Sequence, residues 1–129
     1  MERKPIRSFE DLDAWNVCRE LRKKIEAIVK RFPADEKYKL TSHFIRAARS
    51  THDNIAEGYG RYYYRENIKF CRISRGSLYE LINHLFTALD NNYIDSIEFG
   101  IIRSECLSGI KLVNGYIRFL KNQKKGDEE

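Results

Sequence analysis

Residues 40–58, LTSHFIRAARSTHDNIAEG, decide how this chain folds. Leu40, Phe44, Ala47, Ala48, Thr51 and Ile55 recur at helical spacing, which places them on one face of an α-helix. The face is small in its middle, so a neighbouring helix can approach closely. This reading predicts helix two from about Asp35 to Gly58. Asp35 and Glu36 suit its positive N-terminal end, and Gly58 suits a left-handed stop.

The same periodicity extends outward on both sides. Leu12, Trp15, Cys18, Leu21, Ile25, Ile28 and Phe32 form the stripe of a first helix over 9–31, with Arg19, Lys23 and Lys30 away from it. Ser8 with Asp11 three residues later resembles a capping box. Phe32-Pro33 ends the helix, because a residue before proline disfavours the α region. A third helix is predicted from Tyr64 to Asn91. Its inner face is Cys71, Ser74, Leu78, Leu81, Ile82, Leu85 and Leu89, its start has no Ser, Thr, Asp or Asn cap, and Asn91-Asn92 signals a turn. A fourth starts at Asp95, with Glu98 as reciprocal cap, and carries Ile97, Ile101, Cys106, Ile110, Val113, Ile117 and Leu120. Phe99, Ile102, Leu107, Leu112 and Phe119 fall largely off that stripe. A helix packed on one side needs fewer apolar residues, so a second buried face and self-association are expected.

No strand alternation is visible. The fold class is therefore all-α, an antiparallel up-down-up-down four-helix bundle. A single domain over 1–121 and a polar tail over 122–129 are expected. The chain has 129 residues and a net charge of +5, with 33% charged and 42% hydrophobic residues. Such a chain buries roughly two-thirds of its unfolded surface and needs no metal or disulfide to fold. The composition excludes global disorder, and the lack of an apolar run of about 18 residues excludes a membrane span. Residues 1–5 are followed by no apolar stretch, which speaks against a secretory signal and for a cytoplasmic protein.

Cys18, Cys71 and Cys106 are far apart and form no CxxC pair, as in a reducing compartment, and read as core residues. With His43, His52 and His84 they make no zinc pattern. Glu80 and His84 are four apart but lack the paired Glu-x-x-His motifs of a di-metal bundle. No metal or cofactor is expected, and no catalytic set.

Chemistry concentrates in residues 59–75. Arg61, Arg65, Lys69, Arg72 and Arg75 stand against Glu66 alone, a local charge of +4. Arg65, Lys69 and Arg72 share a helical face, and Tyr59, Tyr62, Tyr63 and Tyr64 lie beside them. Guanidinium forks pair with phosphate and tyrosine rings stack on unpaired bases. Positive charge with interleaved aromatics is a nucleic-acid signature. The bland alternative is a solvated basic face beside tyrosines that staple a helix junction. Helix two adds a polar set, Arg46, Arg49, Asp53, Asn54 and Glu57. Pairs of Arg46 with Asp53 and of Glu57 with Arg61 would give it a structural or interface role.

Residues 45–61 carry a resemblance. An Arg-Ala pair (Arg46, Ala47), Ser50, then Asn54-Ile55-Ala56-Glu57-Gly58, the aromatic Tyr59 and Gly60-Arg61 resemble the bacterial four-helix-bundle proteins first noticed in intervening sequences of large-subunit ribosomal RNA genes. Phe9, Leu12, Trp15, Phe32-Pro33, Glu36, Phe70, Gly76-Ser77 and Glu80 match as flanking signals, so the resemblance covers nearly the whole chain. It implies a homopentameric barrel of four-helix subunits. It also implies more distant kinship with accessory proteins of diversity-generating retroelements, which bind reverse transcriptase and RNA. His52 stands where the family usually has proline and Asp53 where it has a small residue, which implies a less kinked helix two.

The leading expectation is a non-enzymatic, oligomeric RNA-binding or scaffold protein, with Arg61, Arg65, Lys69, Arg72, Arg75, Tyr59, Tyr62 and Tyr63 as contacts. Arg46, Asn54, Glu57, Gly58 and Trp15 are its structural or interface residues. The alternative is an adaptor whose basic face docks an acidic protein such as a reverse transcriptase. A third reading pairs Arg46 with His52, at the loose spacing of the HEPN ribonucleases, with the cation holding phosphate and the imidazole moving protons.

Overall fold

A computed structural model describes residues 5–124. The last five residues of the expected polar tail lie outside it. Four helices make up most of the described chain: α1 Asp13–Ile28, α2 Leu40–Tyr59, α3 Tyr64–Asp90 and α4 Ser96–Lys124. No strand occurs among the described residues. Consecutive helices pack on each other and α1 also packs on α4, closing a ring of four around one core. No helix among the described residues is long and apolar enough to cross a membrane.

The sequence stripes become this core. Cys18, Leu21 and Ile25 of α1, Phe44, Ala48 and Ile55 of α2, Cys71, Leu78, Leu81 and Leu85 of α3, and Cys106 and Val113 of α4 are fully enclosed. Burial pushes the Cys18 thiol up to about 11, and those of Cys71 and Cys106 up to about 12, so all three stay protonated and pack as small apolar groups. Two hydroxyls in the core are satisfied locally: Thr51 Oγ1 donates to the Ala48 carbonyl at 2.7 Å and Ser74 Oγ to the Thr51 carbonyl at 2.6 Å.

Helix ends differ from expectation in instructive ways. Ser8 and Asp11 do form a capping box, but it closes a 3-10 turn at Phe9–Asp11. Leu12 then extends (φ −81°, ψ 126°), buries its side chain, and α1 begins at Asp13. Asn16 Nδ2 ties turn to helix by donating to the Glu10 and Leu12 carbonyls at 2.9 and 3.0 Å. Helix two starts later than Asp35. Residues Ala34–Glu36 form another 3-10 turn, and Glu36 accepts the Tyr93 hydroxyl at 2.7 Å. At the far end of α3, Asn92 takes the left-handed conformation (φ 61°). The Asn92 and Tyr93 amides return to the Leu89 and Ala88 carbonyls at 3.0 and 2.9 Å, a Schellman closure. Asp95 caps α4 through the Glu98 amide at 2.8 Å, while the Glu98 side chain reaches Arg31 at 2.6 Å instead of completing a box.

Two expectations are corrected. Gly58 is no left-handed stop: no described glycine has positive φ, and α2 runs on through Tyr59. Its need is space. A Cβ at Gly58 would stand 2.7 Å from Asn67 Oδ1 and 2.9 Å from Phe70 Cβ, so glycine lets α3 start hard against the end of α2. The α4 stripe is also rephased. Ile97 and Ile101 are 73% and 56% exposed, whereas Ile102 is 4% exposed. The expected stripe stepped five residues from Ile101 to Cys106, which swings it about 140° around a helix; the step of four from Ile102 keeps the inner face.

Candidate nucleic-acid interface

The α2–α3 junction gathers the basic, tyrosine-rich segment at one end of the bundle. Its four tyrosines divide. Tyr59 and Tyr64 are half-buried and pack against the core. Tyr62 and Tyr63, on the turn between the helices, are 86% and 42% exposed. Their rings meet edge to face, with centroids 4.7 Å apart at 88°, so each braces the other outside the core. Tyr63 is also the N-cap of α3 and makes no side-chain cap bond.

The cations divide as well. Arg61 is held: Nη2 lies 3.0 Å from Glu57 Oε2, as the sequence suggests, and the guanidinium sits 4.8 Å from the Phe70 ring centre. Arg75 donates to Asn114 Oδ1 at 2.8 Å, a neutral partner. Arg65 is exposed on the first turn of α3. Lys69 and Arg72 are exposed on the next turns, and among the described residues no carboxylate lies within ion-pairing distance of either.

Beneath this surface sits a polar link that sequence reasoning missed. Asn67 is buried; its Nδ2 donates to the Tyr116 hydroxyl at 3.0 Å and its Oδ1 accepts the Cys71 thiol at 3.6 Å. Burial pushes the Tyr116 phenol up to about 12. The link joins α3 to α4 directly under the junction. Its signal was present, since Asn67 lies four residues before Cys71 on the inner stripe. Phe70, the platform for Arg61, was noticed only as part of the resemblance.

The polar set on α2 makes its contacts within the fold. Arg46 pairs with Glu80 of α3 at 3.2 Å and not with Asp53, which lies instead 3.4 Å from His52 Nδ1. Asn54 Nδ2 donates to the Ser50 carbonyl and hydroxyl at 2.8 and 2.9 Å, and Ser50 Oγ meets Ser77 Oγ at 2.7 Å, stitching α2 to α3. Trp15 is half-buried at the α1–α2 seam, with Phe9 5.1 Å and His52 6.1 Å away between ring centres and Arg19 over its face. Arg22 Nε donates to His52 Nε2 at 3.3 Å, which requires that nitrogen to be unprotonated; burial lowers the imidazole pKa.

Arg46 and His52 are therefore not brought together. Six residues apart, they point about 120° from one another, one engaging α3 and the other α1. Glu80 Oε2 also meets His84 Nε2 at 3.1 Å, and His84 packs on Phe44 and His43. Among the described residues, no three His, Cys, Asp or Glu side chains are grouped to hold a metal.

What the arrangement offers is a pair of projecting phenol rings beside the exposed cations Lys69 and Arg72, fixed on a junction set by Gly58 and Asn67. Comparison with curated proteins returns no match. The family model described as 23S rRNA-intervening sequence protein matches residues 10–115, from the first turn through most of α4, and the chain belongs to that family.

Proposed function

We propose that this protein is a non-enzymatic RNA-binding or scaffold protein that meets nucleic acid through the α2–α3 junction. One observation carries the reading: Tyr62 and Tyr63 project from the same junction at which Lys69 and Arg72 stand, among the described residues, without a neutralising carboxylate. Membership of the 23S rRNA-intervening sequence protein family supports an RNA-associated setting. The separation of Arg46 from His52 and the protonated, enclosed thiols support a role without catalysis. Phosphate contacts release counterions, so affinity falls steeply with salt. Binding to structured RNA, measured at low and moderate salt, tests this. Retained affinity after Lys69→Ala with Arg72→Ala counts against it, as does no binding at low salt.

The bundle is read as antiparallel, up-down-up-down. Cross-helix partners support this, because numbers rise on one helix as they fall on the next: Arg22–His52 and Glu26–Arg49, Arg46–Glu80 and Ser50–Ser77, Asn67–Tyr116 and Arg75–Asn114, Lys24–Glu105 and Arg31–Glu98. Exposed Ile97, Ile101, Leu107 and Phe119 on α4 support a homo-oligomer, with the pentamer drawn from the family resemblance. Repetition of the basic face around such an assembly raises its avidity for a long polyanion. Light scattering gives the subunit number. A second reading, an adaptor whose basic face docks an acidic protein such as a retroelement reverse transcriptase, rests on the same exposed cations, Lys69 and Arg72. It is separated by a nuclease-treated pull-down, since only protein contacts survive nuclease.

A further inference from the structure

Resting on that reading, we infer that the junction takes an unpaired RNA segment in preference to a duplex, one base stacking on Tyr62 while successive phosphates follow Lys69 and Arg72 along α3. Tyr62 is the most exposed large hydrophobic side chain of the described residues, and it belongs to a turn at the end of the bundle rather than to a flat flank. Its ring is held out by the edge-to-face contact with Tyr63, so stacking on it requires little further ordering. In a duplex the base faces are already covered, and only phosphates and groove edges remain to be touched. An open strand offers both a face for the phenol and a flexible backbone for the cations.

The cations are placed for this. At about 1.5 Å per residue, Lys69 and Arg72 stand about 8 and 12 Å along α3 from its start beside Tyr63, a reach suited to phosphates following the stacked base. In the α1–α2 connection the exposed Tyr38 ring is already met by Lys37, whose Nζ lies 5.3 Å from its centre, and among the described residues the seam between the two helices has no open ring. Trp15 there is half-buried, covered by Phe9, His52 and Arg19, and Arg22 and Arg49 already close on Glu26.

The experiment is fluorescence anisotropy with the full chain, comparing an unstructured RNA oligomer, the same oligomer as a duplex, and polyglutamate as competitor. The inference predicts tighter binding of the open strand, lost roughly ten-fold in Tyr62→Ala and kept in Tyr62→Phe, with duplex binding unchanged by either. Lys69→Ala and Arg72→Ala weaken both RNA forms. Equal binding of both forms with no effect of Tyr62→Ala overturns the inference and leaves the cation-driven reading standing. Polyglutamate displacing RNA charge for charge does the same, since it carries no bases. No binding of either form at low salt overturns both. Tyr62 makes no core contact, so its variants are expected to melt with the parent, which circular dichroism checks.

Discussion

On the α1–α2 face, Arg22 and Arg49 converge on Glu26 at 3.2 and 2.8 Å, and Arg19 lies over Trp15, whose ring is wedged between Phe9 and His52. At the α2–α3 junction, Tyr62 projects into solvent, and Lys69 and Arg72 meet no carboxylate among the described residues. Both regions combine arginines with aromatic rings. The difference is what surrounds them. Burial raises the Glu26 carboxyl, and Arg49 and Arg22 together outweigh it, holding it below the usual range. Its charge is thus kept to answer theirs. At the junction Arg61 pairs with Glu57, whereas among the described residues Lys69 and Arg72 farther along α3 have no carboxylate at ion-pairing distance, which leaves their charge available to an outside polyanion. A basic residue without an internal partner adds its full charge to the field that draws a polyanion.

Substitutions can break this contrast at its structural root. Gly58→Ala drives a methyl into Asn67 and Phe70 and should cost about 1–3 kcal/mol by overpacking, against a helix-propensity gain of about 1 kcal/mol. Gly76→Ala in α3, where a Cβ meets nothing within 4 Å, should instead stabilise by about 0.5–1 kcal/mol. Urea midpoints for the two variants should move in opposite directions. Movement in the same direction removes the close-approach account of the junction.

The electrostatic half of the contrast is sharpened by salt. Replacing Lys69 and Arg72 together should flatten the salt dependence of RNA affinity by about 1.4 in log–log slope, roughly 0.7 per lost contact for a single strand. Replacing Arg22 and Arg49 should leave that slope alone.

A smaller effect separates the regions by pH. His52 titrates near about 6.5 in the unfolded chain, and burial on the α1–α2 face depresses it when folded. Asp53 and Glu26 oppose that depression, while Arg22 and Arg19 reinforce it. The unfolded chain therefore binds more protons below about pH 6.5, so stability is full above that value and falls as pH drops toward the folded pKa. His52→Gln should flatten the melting temperature across this window; an unchanged slope would falsify the assignment. The smallest effect is Arg49→Ala. Arg49 is exposed and Glu26 keeps Arg22, so the cost should stay under about 1 kcal/mol in denaturant unfolding.

Much of the fold was legible because three- and four-residue spacing reports directly on a buried face. The Ser8–Asp11 and Asp95 caps were readable for the same local reason. Phase was harder: Ile101 and Ile102 are adjacent and equally apolar, and only the packing of α4 on its neighbours selects Ile102. Gly58 was correctly marked as special but for the wrong cause, since a close approach depends on what the other helix places there. Arg46 shares a face with Asp53, yet its partner is Glu80, 34 positions away, which no local spacing reveals. At the site, the run Tyr62-Tyr63-Tyr64 crosses the start of α3, where helical periodicity is undefined. The sequence marked the tyrosines as a group but could not sort Tyr62 and Tyr63 from the inward Tyr64.

The central claim is that the junction, and not the equally arginine-rich α1–α2 face, meets nucleic acid. Ultraviolet cross-linking of bound RNA followed by peptide mass spectrometry tests it most directly. The account predicts adducts on Tyr62 or Tyr63, reduced by competing open-strand RNA. Adducts confined to Trp15 and the peptides around Arg22 and Arg49 would contradict it.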